Sequence, residues 1–201
     1  MNQQLTIPIP PQPGAWTPPV LDAFAHGYVL AFDQSLNNTG WCLLHHSTTG
    51  MQAVSTGMIH PPADDLTSFE ATFTRGSHVE EGVSALVEQM IWSVRGAQPP
   101  LAIIFERPAI TGHRIESALL SGYGVFKATD GTARMVSNVH AKKVIVGRAG
   151  TRENPVTKGH VKEAVERYVP PPHPNRWNEH IRDACMLALT HLYDAAKEPK
   201  A

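Results

Sequence analysis

Two short apolar segments constrain the fold of this chain most strongly: YVLAFDQS at residues 28–35 and LAIIFERP at residues 101–108. Nearly continuous apolar runs of this length are typical of strands that are buried on both faces of a sheet. Pro108 cannot donate a ladder hydrogen bond, so the second run should end as a strand close to Glu106. A sheet buried on both faces needs helices on each side, which predicts a layered α/β fold.

The remaining segments extend this α/β order. Further strands are predicted over GWCLLHHS, AVSTGMIH and ARMVSNVHA, at residues 40–47, 53–60 and 133–141. Apolar residues at helical spacing predict helices over residues 68–92, 114–128, 156–169 and 179–196. The apolar spacing within the first of these helices is interrupted near Gly76. We expect an N-cap at Thr157 in the third. The predicted architecture is a mixed central sheet, with three hairpin-joined strands first and helices on both faces.

The chain of 201 residues is long enough for one domain with a real core, since 42% of its residues are hydrophobic. Residues 1–27 hold six of the 17 prolines and no Lys or Arg, which predicts an extended N-terminal arm before a domain at 28–197. The apolar runs are too short for a membrane span, and the first Lys or Arg is Arg75, so no secretory signal is expected. Cys42 and Cys185 lie in separate apolar runs and should be buried free thiols. These features predict a cytoplasmic protein.

Acidic residues occur where the predicted elements end. Asp33 lies in the first strand, Glu106 ends the fourth, and His180 and Asp183 share one face of the last helix. A carboxylate inside an apolar strand is costly to bury unless it is paired or bound to metal. Such groups suit a pair of Mg²⁺ ions that hydrolyse a nucleic-acid phosphodiester. The structural alternative is that Asp33 caps a turn, Glu106 pairs with an arginine, and the helical pair faces solvent.

The basic residues are concentrated in one part of the chain. The net charge is only −1, but residues 127–162 hold eight of the 17 Lys and Arg residues and two acids. A one-sided stretch of this kind can bind a polyanion while the rest of the surface stays acidic. An ordinary solvated surface is the alternative. The eight residues are Lys127, Arg134, Lys142, Lys143, Arg148, Arg152, Lys158 and Lys162.

Four separated motifs resemble the RuvC family of Holliday-junction resolvases. AFDQSLNNTGWCLL is similar to the first-strand motif of that family, IIFERP to its second acidic strand, and HIRDACMLALTHLY to its final metal-binding helix. HAKKVIVGRAGTRENPVTKGHVKEAV is similar to its basic segment. The resemblance extends in order over about residues 28–196. It implies an RNase H-like fold, two Mg²⁺ or Mn²⁺ ions per site, a homodimer, and paired symmetric nicking of four-way DNA junctions.

Carried over by position, the resemblance implies that Asp33, Glu106 and Asp183 are the metal-binding carboxylates. His180 matches the fourth site, which in the family is either Asp or His, and a neutral imidazole there can ligate or act as a general base. Lys158 matches a basic position that approaches the scissile phosphate.

The resemblance also implies where DNA and a second subunit would bind. Lys142 matches a family position beside the adjacent DNA strand. The other DNA contacts expected in the basic segment are Lys143, Arg148, Arg152 and Lys162. The helix over residues 114–128 is the candidate dimer interface, because it offers apolar contacts and small residues that permit close approach. The apolar residues are Leu119, Leu120, Val125 and Phe126, and the small ones are Ser121, Gly122 and Gly124. Packing within the monomer's own core is the alternative.

The sequence departs from the family pattern at several points. Gln34 replaces the Pro that is common after the first Asp, and the residues after Glu106 lack the aromatic side chain that wedges into the junction. Ile110 and His113 are the candidate substitutes. The proline-rich arm and the insertions are not typical of the cellular enzymes, which favours a phage or mobile-element member.

Three other functions compete with junction resolution. DQSLNNTG vaguely resembles the phosphate loop of actin-like ATPases and sugar kinases, but it lacks the Gly expected directly after the Asp, and a second lobe does not fit. A noncatalytic junction-binding protein would keep the fold and the basic segment without the metal chemistry. The closest alternative is a related RNase H-like nuclease that acts on flap, branched or RNA substrates.

Overall fold

The computed structural model describes residues 16–61, 69–97, 101–108 and 115–198. Its strands are β1 (Gly27–Asp33), β2 (Thr39–Ser47), β3 (Gly50–Ile59), β4 (Ala102–Glu106) and β5 (Arg134–Val136). Its α-helices are α1 (Phe69–Ser93), α2 (Ile115–Ala128), α3 (Asn138–Ala141), α4 (Lys158–Glu166) and α5 (Glu179–Ala195). A π-helical turn over Lys142–Val146 directly continues α3.

The five strands form one mixed sheet in the order β3-β2-β1-β4-β5. The pairs β1–β2 and β2–β3 are antiparallel, which confirms the predicted hairpins, and β4 and β5 add in parallel to β1. In the β1–β4 ladder Phe32 pairs with Phe105. The next residues, Asp33 and Glu106, end their strands at the same edge of the sheet. The topology therefore brings the two predicted strand carboxylates together.

Helices cover both faces of the sheet, as the apolar strand patterns predict. Side chains alternate along a strand, so Leu30 and Phe32 pack in one core with α1 and α2. Val29 and Ala31 pack in a second core with α4 and α5. Full burial of a Leu or Phe contributes roughly 1.5–3 kcal/mol, so these two cores hold the strands in place.

One local prediction is wrong. The strand predicted over residues 133–141 ends at Val136, because β5 pairs only along the short β4, and the chain then turns into α3 with Ala141 N donating to Ser137 O. Helix α1 is continuous, as predicted, through Gly76, where its apolar spacing is interrupted. A Cβ at Gly124 of α2 would lie only 3.3 Å from Gly76 O. The small residues thus permit close helix packing instead of breaking the helix.

The described part of the predicted arm, residues 16–26, packs on the second core. Phe24 is buried against Tyr168, whose hydroxyl donates to Pro19 O, and Ala25 N donates to Leu192 O. Residues 1–15 lie outside the described residues, and the domain limits stay a prediction. Among the described helices, none combines the length and apolar character that a membrane crossing requires. Both cysteines are buried and free, as predicted.

Candidate active site

The candidate site is assembled from the carboxyl ends of two parallel strands and the beginning of the last helix. Asp33 ends β1, Glu106 ends β4, and His180 and Asp183 lie in the first turns of α5. Asn178 caps this helix, since its side-chain oxygen accepts a 3.0 Å hydrogen bond from Ile181 N. Gly40 lets the helix approach the sheet, because a Cβ there would lie 2.4 Å from the His180 carbonyl carbon.

The four predicted metal-site residues contact or influence one another directly. His180 Nδ1 lies 2.9 Å from Asp33 Oδ2. Asp33 and Asn138 of α3 lie close enough to the Glu106 carboxyl group to shift its pKa, Asp33 upwards and Asn138 downwards. All four side chains are half-buried. The structural alternative has the helical pair facing solvent, whereas His180 and Asp183 are half-buried. Arg114, one of the arginines that could pair with Glu106, lies outside the described residues.

Burial and mutual repulsion perturb the carboxyl groups. Burial, the Asp33 hydrogen bond and the negative charges of Asp33 and Asp183 raise the pKa of Glu106 to about 8. Burial and the charge of Asp33 raise the pKa of Asp183 to about 6, against the opposing effect of Lys142 and His180. The hydrogen bond to Asp33 raises the pKa of His180 despite its partial burial. The site therefore gathers negative charge that its own cations do not fully compensate.

The donor set fits a hard divalent cation, although its side chains are not arranged around one. Among the described residues, no three Asp, Glu, His or Cys side chains converge closely enough to hold one ion. Asp33 Oδ2 instead lies 2.9 Å from His180 Nδ1. Carboxylate oxygens are the ligands that Mg²⁺ prefers, and raised carboxyl pKa values mark the charge that a cation would neutralise. The residues thus suit such an ion by their chemistry.

A pocket of about 270 Å³ lies beside Asp183 and is lined in part by basic side chains. Lys142, from the π-helical turn, and Lys158, the first residue of α4, both line it. Lys158 Nζ forms an ion pair with Glu179, whose other carboxylate oxygen lies 4.0 Å from His180 Nε2. Thr157 caps α4 as predicted, in a capping box with His160. The structure therefore brings both lysines of the resemblance to the acidic cluster.

The other predicted DNA contacts are spread more widely. Arg148 lies over the loop before α4, with Nη1 3.4 Å from Asn154 O and Nη2 3.4 Å from His160 Nδ1. Arg152 and Lys162 are exposed on and beside this loop. Lys143 lines a different pocket, together with Trp16, and not the one beside Asp183. Ile110 and His113, the candidate wedge residues, lie outside the described residues.

Sequence reasoning missed several polar residues of the site. Asn138 was placed inside a strand, although it follows β5 at the sheet edge where Asp33 and Glu106 end. That shared edge is the signal that could have identified it, because the carboxyl ends of parallel strands lie together. Glu179 and Arg182 neighbour His180 and Asp183 in the sequence and line the pocket beside Asp183. Their alternating charges do not distinguish them from ordinary surface residues in the sequence.

Solved structures with similar folds include RuvC and another Holliday junction resolvase. The Thermus thermophilus RuvC structure in complex with a Holliday junction substrate is similar with a TM-score of 0.64 at 15% identity, over 85% of this chain and 96% of that one. A further Thermus thermophilus RuvC structure gives 0.61 at 13%, over 86% and 98%. The yeast mitochondrial Holliday junction resolvase Ydc2 gives 0.55 at 9%, over 87% and 83%.

These likenesses confirm the RNase H-like fold in the form found in RuvC. The agreement extends over most of each chain. At the level of sequence, no protein-family model matches the chain, and none of the curated proteins matches it significantly.

Proposed function

We propose that this protein is a divalent-metal-dependent endonuclease that resolves four-way DNA junctions by paired, symmetric nicking. One observation carries the proposal: Asp33, Glu106 and Asp183 converge at one edge of a RuvC-like sheet, beside a pocket lined by Lys142 and Lys158. Clustered carboxylates next to basic side chains suit a reaction in which metal ions and a phosphodiester meet. The solved structures of this fold that bind or resolve Holliday junctions support the choice of substrate.

The three carboxylates would hold two Mg²⁺ or Mn²⁺ ions, which would supply an activated water and stabilise the leaving 3′ oxygen. The side chains of the protein orient the carboxylates, accept a proton and bind the phosphates. His180 orients Asp33 through Nδ1, and its imidazole takes up the proton that the attacking water loses. Lys158 leaves its ion pair with Glu179 and binds the scissile phosphate. Lys142 holds the neighbouring phosphate beside Asp183.

Affinity for DNA would come mainly from contacts between basic side chains and phosphates. The loop between the π-helical turn and α4 carries exposed or half-exposed cations close to the site. We assign the DNA backbone contacts to Lys142, Lys143, Arg148, Arg152 and Lys162. Because the whole chain has a net charge of −1, binding depends on this local surface and should be sensitive to salt.

The active species would be a homodimer, because a C₂ dimer matches the approximate two-fold symmetry of a junction. Helix α2 divides into two faces. Its small residues and Val125 are buried in the monomer's own core, which corrects the expectation that Val125 faces a partner. Leu119, Tyr123 and Phe126 are exposed, at 46%, 61% and 44%, and form the face that we assign to the dimer interface.

A panel of labelled substrates tests the function. Four-way, three-way, flap, duplex and RNA substrates would be incubated with Mg²⁺ or Mn²⁺ and either the wild-type protein or Asp33→Asn. We expect paired nicks in the four-way junction, weak cutting elsewhere, and no cutting by the variant. Preferred cutting of flaps or RNA would favour the related RNase H-like nuclease instead. Junction binding without any metal-dependent cutting would favour the noncatalytic protein.

A further inference from the structure

Gln34 forms two hydrogen bonds that join the ends of the strands carrying Asp33 and Glu106. Its Nε2 donates to Glu106 O at 2.6 Å, and Glu106 N donates to its Oε1 at 3.1 Å. The side chain thus engages both backbone groups of a residue 72 positions away in the chain.

This contact continues the β1–β4 ladder one step beyond its end. The last backbone pair of the ladder joins Phe32 to Phe105. A carboxamide carries a donor and an acceptor in one plane, as a peptide group does, so Gln34 can replace the missing backbone partner of Glu106. The other side of β4 continues with Arg107 N donating to Val136 O. Glu106 is therefore fixed between its two neighbouring segments.

Helix α2 encloses this contact. A Cβ at Gly122 would lie 2.5 Å from Pro108 Cγ and 3.7 Å from Gln34 Nε2, so only glycine lets the helix pack this closely. Gln34 itself is half-buried. A backbone group left unpaired in such a place is destabilising unless water replaces its partner. The enclosure therefore favours one conformation of the Gln34 side chain.

We propose that Gln34 is a positioning residue: its carboxamide sets the register of Asp33 against Glu106 and so prepares this carboxylate pair for a divalent cation. The inference rests on the proposed function, because it concerns the same metal site. Asp33 directly precedes Gln34, and the backbone of Glu106 is bound by it, so a shift in this contact moves both carboxylates. Groups that orient metal ligands typically contribute 10- to 100-fold to metal affinity.

Mn²⁺ binding to the DNA-free protein tests the role without any need for catalysis. Gln34→Met keeps the size of the side chain and removes both hydrogen bonds, and free Mn²⁺ can be measured by electron paramagnetic resonance. We expect the dissociation constant for Mn²⁺ to rise by about 10-fold. Gln52→Met is the matched control, because Gln52 is exposed on β3 near the opposite end of the sheet, and it should leave Mn²⁺ affinity unchanged.

The outcomes separate this inference from the proposed function. A Gln34→Met protein that folds and binds Mn²⁺ like wild type would overturn the positioning role alone, whatever its melting temperature. A wild-type protein that binds no Mn²⁺ would overturn the proposed metal site and this role with it. If the variant does not fold, hydrogen exchange of the wild-type Glu106 amide decides: protection comparable to Phe105 supports the contact, and rapid exchange refutes it.

Discussion

Glu106 is a residue whose protonation responds strongly to the fold. Its carboxyl group is half-buried beside Asp33 and Asp183, and these surroundings raise its pKa from about 4.5 to about 8. Between these two pH values the folded protein retains a proton that the unfolded chain has released. The free energy of unfolding must therefore fall as the pH rises through this interval, as far as this group is concerned.

We expect the metal-free protein to lose thermal stability between about pH 5 and pH 8, and Glu106→Gln to lose less because its side chain stays neutral. At pH 8 the variant should be more stable than wild type by at least about 1 kcal/mol, or about 2–4 °C in melting temperature. Circular dichroism melts in EDTA measure this, with the exposed Glu88→Gln as control. Equal pH dependence of wild type and Glu106→Gln would refute the assigned burial of this charge.

Lys158 illustrates a residue with little structural role. It is the first residue of α4, its side chain is 77% exposed, and its ion pair with Glu179 contributes little to stability at such exposure. We expect Lys158→Ala to change the free energy of unfolding by less than about 0.5 kcal/mol. The variant should nevertheless bind the junction more weakly and lower the salt slope by about 0.9, the value for one lost phosphate contact.

Fluorescence titrations of labelled junction at several salt concentrations measure the slope for Lys158→Ala. Lys127→Ala is the matched control, because Lys127 pairs with Glu80 between α1 and α2, away from the acidic cluster. An unchanged slope for Lys158→Ala together with full cleavage would leave Lys158 an ordinary surface residue.

At the scale of elements, the close approach of α5 to the sheet positions His180 and Asp183, two of the four candidate metal-site residues. Gly40 lies in β2 opposite Asp33, and an added Cβ would lie 2.4 Å from the backbone of His180. Gly40→Ala must therefore displace the helix that carries His180 and Asp183. We expect it to destabilise the protein by about 1–3 kcal/mol, the usual range for overpacking, and to weaken Mn²⁺ binding.

Urea unfolding and Mn²⁺ titration measure the two effects of Gly40→Ala. Gly159→Ala provides the comparison, because a Cβ in α4 meets only Thr157 Oγ1 at an ordinary 3.6 Å. Its stability should be near or slightly above that of wild type. A Gly40→Ala protein with wild-type stability and metal affinity would contradict the close approach of α5.

Elements with strong local patterns could be predicted from the sequence, and those set by tertiary contacts could not. The apolar runs ending at Asp33 and Glu106 identified the central strands, and Thr157 identified the start of α4. Asn138 was misplaced because strand length depends on the partner strand, and β4 is short. The two hydrogen bonds of Gln34 depend on a residue 72 positions away, which no local pattern specifies.

At the scale of the whole molecule, the chain retains a RuvC-like fold at 15% identity or less to solved structures of that fold. Sheet order and the two cores require apolar character at particular positions, not particular residues, so the architecture survives such divergence. In the proposed function, the exposed face of α2 would contact a second subunit and the acidic edge of the sheet would contact DNA. The central claim joins them: two copies, each with one acidic site, cut one junction.

Cleavage of a supercoiled plasmid that extrudes a cruciform tests this claim most directly, because paired nicks within one complex linearise the plasmid and independent nicks give relaxed circles. We expect wild-type protein with Mg²⁺ to yield linear plasmid without accumulation of nicked circles. Asp33→Asn should bind the junction but leave the plasmid supercoiled. Nicked circles as the only wild-type product, or linear plasmid from Asp33→Asn, would contradict the account.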